Sequence, residues 1–161
     1  MNRELKNKVI ARMVQLRDDI RESINNHQKT ASGKTNRSLI VVDDGMTITL
    51  YGRPFFPTLQ YGSSRWIGRT GIRCTFDAFR QIIADWVQAK GLNLGQHKAH
   101  EQAVSAITAK IIREGTRDWR EHSYTDVYDT LVLQCWNDLQ DVAIGVAGEA
   151  VDVAISKWQR Y

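Results

Sequence analysis

The sequence predicts an α+β fold: a long N-terminal helix, an antiparallel β-hairpin or small sheet with a long Pro-, Gly- and aromatic-bearing loop, and three further helices packed against them. Three observations carry that prediction. Leu5, Val9, Met13, Leu16, Ile20 and Ile24 recur at intervals of three and four, the repeat of a single helix face. Leu39 to Val42 and Met46 to Tyr51 are rich in β-branched and aromatic residues and flank Asp43-Asp44-Gly45, which reads as two strands and a tight turn. Beyond Thr75 the apolar residues return to a helical period.

The first element runs over about residues 3–27. Its apolar stripe is narrow and its other faces are charged, so it docks on the domain's own sheet or forms a seam with another helix, ordinary core packing being the simpler case. His27 to Arg37 is polar and contains Gly33, as expected of a flexible connection. The hairpin follows at about 38–51, with Met46, Ile48 and Leu50 on one face and Thr47, Thr49 and Tyr51 on the other. Gly45 supplies left-handed geometry to the turn, and the Asp side chains bond local amides.

At about 52–74 the periodicity stops. Both prolines of the chain, Pro54 and Pro57, lie here and hold the preceding residues extended. Thr58 is placed to cap a short turn through Tyr61, and Gly62, Gly68 and Gly71 keep the rest irregular. A segment this long without regular structure usually binds something or is ordered by a partner, although some of Phe55, Phe56, Tyr61 and Trp66 must fold back on the core.

The helical second half occupies about 75–160. Thr75 caps a helix with Phe76, Phe79, Ile82, Ile83, Trp86 and Val87 on one side, ended by Gly91. A second helix spans about Lys98 to Arg113, with Ala103, Val104, Ile107, Ile111 and Ile112 inward. The last begins near Thr125 and carries Tyr128, Leu131, Val132, Cys135, Trp136, Leu139, Val142, Val146 and Val153 at a helical period. Gly145 and Gly148 either let another backbone approach or break it, and Val151-Asp152-Val153 alternates as a strand would.

With 161 residues, 42% hydrophobic and 25% charged, the chain fits one domain, residues 1–161, with a real core. No run reaches the roughly 20 apolar residues of a membrane span, and Met1 to Ile10 is too charged for a signal peptide. Neither secretion by that route nor membrane insertion is expected. Cys74 and Cys135 have no Cys or His at metal-ligand spacing, so a reduced compartment with two thiols is the simplest reading and a single disulfide the alternative.

The net charge of +4 is unevenly laid out. Residues 1–80 hold 14 Lys/Arg against 7 Asp/Glu, or +7, and residues 81–161 hold 8 against 11, or −3. From Glu121 to Ile155 there are seven acids and no Lys or Arg. Such asymmetry suits head-to-tail contacts between copies, or a basic face toward nucleic acid. Arg53, Arg65, Arg69 and Arg73, with Phe55, Phe56, Tyr61 and Trp66, are therefore the candidate interface or DNA-facing residues. Protein interface outweighs nucleic acid, because guanidinium groups pair readily with carboxylates and stack on aromatics.

No constellation for chemistry stands out. His97-Lys98-Ala99-His100-Glu101 lacks further ligands and reads as a solvated helix start. Asp43-Asp44 reads as a turn, and Gly33-Lys34-Thr35 lacks the other glycine of a phosphate loop. Neither an enzyme, a cofactor nor a metal is expected.

The order of a charged amphipathic helix, Ser32-Gly33, Ser38, a hairpin, Tyr51-Gly52 and Leu59-Gln60-Tyr61-Gly62-Ser63-Ser64-Arg65 resembles the tail-completion and head-tail connector proteins of tailed bacteriophages. Gln60 stands where that family usually carries an acid. The similarity covers about residues 5–80, and the second half resembles the family only in general style. It implies a structural virion protein, assembled in the bacterial host cytoplasm, forming an oligomeric ring at the head-tail connector (neck) or tail-completion position through which DNA passes. Its partners would be copies of itself, other neck, portal or tail proteins and, without sequence reading, genomic DNA, with no membrane. The main alternative is a non-virion nucleic-acid-binding or processing protein using the Arg-rich loop; a part in a bacterial secretion or injection machine is a third.

Overall fold

In a computed structural model the protein is described over residues 3–30, 32–53, 56–64 and 75–158, with side chains described as far as Gly148. Helix α1 covers Arg3–Asn26, α2 Lys34–Ser38, α3 Thr58–Tyr61, α4 Phe76–Ala89, α5 His97–Glu114, α6 Arg117–Arg120 and α7 Asp129–Trp158, with strands β1 at Ile40–Asp43 and β2 at Ile48–Tyr51. The mixed α+β architecture, with its long first helix and antiparallel hairpin, is the one the sequence predicts.

The apolar stripe of α1 works on two partners at once. Leu16, Ile20 and Ile24 are buried, and α1 packs on both α7 and the two strands. Arg12 pairs with Asp138 at 2.6 Å, while residues near Asn26 and His27 meet Asp126 and Thr130, so α1 and α7 run antiparallel. The seam with another helix is thus made within the chain. Helix α1 ends with Lys29 N–H donating to Ile24 C=O at 3.0 Å and Gln28 at φ 54°, the left-handed stop that glycine more often supplies.

The connection after α1 is better ordered than its polar composition suggests. Gly33, at φ 69°, starts α2. The Arg21 guanidinium donates to Asn36 C=O at 3.1 Å and Leu39 C=O at 2.8 Å, and Asn36 Nδ2 donates to Asn25 Oδ1 at 2.9 Å. These bonds tie α2 to α1, where a flexible link is expected over His27 to Arg37; residue 31 lies outside the described residues.

The hairpin pairs Ile40 with Tyr51 and Asp43 with Ile48. Asp44 accepts from Met46 N–H at 2.9 Å and Thr47 N–H at 2.7 Å, and Asp43 from Gly45 N–H at 2.8 Å. Met46 falls in the turn, 91% exposed, rather than on the strand face with Ile48 and Leu50. The four-residue loop that Asp44 closes takes it out of the ladder. Leu39 is buried and Leu50 packs against the same core.

The core has two parts. One joins Leu16, Ile20, Ile24, Leu39, Val127 and Cys135; the other joins Phe79, Ile83 and Val87 of α4 to Val104 of α5. Thr75 caps α4 by accepting from Ala78 N–H at 3.3 Å, as expected. Phe76, Ile82 and Trp86 are exposed, so the apolar side of α4 is divided between core and surface. Helix α7 passes through Gly145 and Gly148 without a break, and residues 151–153 are helical, not a strand. Cys135 is a buried free thiol, its pKa raised by burial; Cys74 lies outside the described residues.

Candidate functional site

Of the segment behind the hairpin, where function is expected, residues 56–64 are held by a buried clasp. Pro57, not Thr58, stands at the N-cap of α3. Gln60 follows, fully buried. Its Oε1 accepts from the N–H groups of Val127 and Tyr128, each at 3.0 Å. Its Nε2 donates to Asp129 Oδ2 at 2.5 Å, and its carbonyl accepts from Thr125 N–H at 3.1 Å. One side chain thus satisfies amides leading into α7, which have no intrahelical partner.

Tyr61 O–H donates to the same Asp129 carboxylate. That bond raises the phenol's pKa, because it favours the neutral form. The Tyr61 ring lies 6.0 Å from Tyr124, and that of Phe56 5.1 Å from Tyr128.

The next two residues complete the clasp. Ser63 N–H donates to Thr116 Oγ1 at 2.8 Å, and Thr116 N–H donates to Ser63 C=O at 2.9 Å. This exchange needs two glycines. Gly62 (φ 68°) would set a Cβ 2.7 Å from Trp119 N, and Gly115 (φ 85°) would set one 2.7 Å from Ser63 O, both closer than side chains tolerate.

Of the eight candidate residues, Phe56 and Tyr61 meet at this clasp. Arg53 is exposed; its C=O accepts from Phe56 N–H at 2.9 Å, and it lines a groove of about 540 Å³ between α2 and α4 with Lys34, Leu59, Ile82 and Trp86. Phe55, Arg65, Trp66, Arg69 and Arg73 lie outside the described residues. A second, shallower cleft of about 360 Å³ lies between the end of α1 and the start of α7 and carries Asp19, Glu22, His27 and Asp126. The Thr130 hydroxyl donates to Asp126 and holds its carboxyl below the usual range.

Gln60 is the residue that sequence reasoning undervalued, and its amide gives little signal because Gln is usually exposed. Lys34 and Trp86 in the groove were also not foreseen as neighbours of Arg53. The His97 to Glu101 cluster opens α5 with His97 and Lys98 exposed, and no group of three or more potential metal ligands occurs among the described residues. No helix of the described residues is long and apolar enough to cross a membrane.

No family model matches this chain, and neither a curated protein nor a solved structure matches it significantly.

Proposed function

We propose that this chain is a structural virion protein of a tailed bacteriophage, forming an oligomeric ring at the head-tail connector or tail-completion position through which DNA passes. One observation carries the reading. Several residues of the resemblance have structural roles: Gly33 starts α2 in left-handed geometry, Ser38 Oγ closes it on Thr35 C=O at 2.7 Å, and Gln60-Tyr61-Gly62 forms the clasp. A motif that fixes architecture suits an assembly protein, whose function is the placing of surfaces.

Helix α7 supports the same reading through its surface. Trp136, Leu133 and Ile144 are at least 60% exposed, and exposed apolar patches mark contact sites. A second reading, nucleic-acid binding outside a particle, draws on Lys34 and Arg53 beside Trp86, a cationic groove with a ring for stacking. Proteomics of purified particles from a lysate of the phage that encodes the chain separates the two. The virion reading predicts several copies per particle; recovery only from the soluble, non-particulate fraction would overturn it.

A further inference from the structure

We propose that the exposed apolar face of α7 docks into the groove between α2 and α4 of a second copy of this chain, making a head-to-tail contact. The inference rests on the ring reading and specifies its contact. Val132, Leu133, Trp136 and Ile144 are 45%, 60%, 60% and 70% exposed. At about 100° per residue they fall within one arc of α7 about 120° wide that also takes in Gln140, beside the arc of Leu131, Cys135 and Leu139 that packs in the α1 core. An exposed Trp at the middle of an apolar arc is a typical interface anchor.

Charge selects the occupant. Of the acids on α7, Asp129 is bonded to Gln60 and Tyr61 and Asp138 to Arg12, while Asp141, one turn before Ile144, is exposed. Pairing α7 with its own copy would give Asp141 no cation, because residues 129–148 contain no Lys or Arg. The groove offers the complement: Leu59, Ile82 and Trp86 give apolar contact, and Lys34 and Arg53 are exposed cations. Lys29 is held by Asp118 at 2.7 Å, and Asp85 is the groove's acid.

No groove residue lies beyond Ala89 and the arc begins at Val132, so one chain presents both surfaces. A contact between unlike faces leaves one of each unused at the ends of a row, and closure of the row makes a ring.

The test uses the full chain and two variants, Trp136→Glu for the arc and Lys34→Glu/Arg53→Glu for the groove, followed by sedimentation velocity. Wild type should self-associate, and each variant alone should bind itself at least about thirtyfold more weakly. An equimolar mixture should give a two-chain complex and nothing larger, because each variant retains one intact face. That complex also shows that both variants fold.

Association of the groove variant at wild-type strength overturns this contact, and closed rings formed by it leave the ring reading standing. A wild-type chain that stays monomeric at its highest soluble concentration overturns the contact too. So does loss of single-stranded oligonucleotide binding in Lys34→Glu/Arg53→Glu with self-association unchanged, which would give the groove to nucleic acid.

Discussion

Gln60 shows how much one side chain can carry. Replacing it with Leu leaves the Val127 and Tyr128 amides unpaired in a buried place, a loss of about 3 kcal/mol. Gln60→Glu is more informative. The carboxylate still accepts both amides, but its second oxygen faces Asp129 where the amide donated. Like charges at that distance raise the folded-state pKa of the pair. A raised pKa means that the folded state binds the proton more tightly, so the deficit, about 2 kcal/mol at neutral pH, shrinks as pH falls into the carboxylate range. Urea unfolding at neutral and mildly acidic pH checks this. The sequence marked Gln60 only as a departure from a pattern, because nothing local tells that a glutamine will be buried by residues more than sixty positions away.

Among the elements, those set by local rules were legible. The stripe of α1, the turn residues of the hairpin and the Thr75 cap lie where periodicity and capping chemistry put them. Helix α2 was not, since Arg21, thirteen residues upstream of its start, supplies bonds that hold it. At the end of α7 the sequence is ambiguous, because valines and glycines argue locally against helix, whereas the element is continuous.

Two predictions belong at this scale. Gly145 and Gly148 have open space around a would-be Cβ, so Ala at either should stabilise the helix by about 1 kcal/mol. Ala at Gly62 or Gly115, which meets backbone at positive φ, should destabilise by about 2 kcal/mol or more; thermal melts of the four variants give the signs. At the hairpin, the Thr47 amide and hydroxyl, with the Met46 amide, lower the Asp44 pKa. A lowered pKa places its contribution above the unfolded value, to be lost as pH falls through the folded one. Protection of the Met46 and Thr47 amides, measured as exchange relative to the unstructured rate at the same pH, should therefore fall on acidification, and Asp44→Ala should show the low protection at every pH.

The whole molecule rests on two apolar clusters joined by polar links: Lys90 Nζ donating to Gln28 C=O at 2.5 Å, and the Ser63 to Thr116 exchange. Such an arrangement opens in parts. Val104→Ala should weaken the α4 and α5 pair by about 2 kcal/mol and raise hydrogen exchange there, with Ile20 and Ile24 staying protected. Uniform loss of protection would mean a single cooperative unit. Of the candidate interface residues, Phe56 and Tyr61 fall at the clasp and Arg53 in the groove; the meeting of that groove's two walls, α2 and α4, is encoded by no local pattern. The central claim, that this is an assembly protein whose contacts are unlike faces of one chain, is tested most directly by mass photometry of the isolated protein, alone and with neck or tail components. The account predicts a discrete closed multiple of the 18.4 kDa protomer, formed alone or on a partner ring. A strict monomer under both conditions, binding oligonucleotides with an affinity that falls steeply with salt, would contradict it.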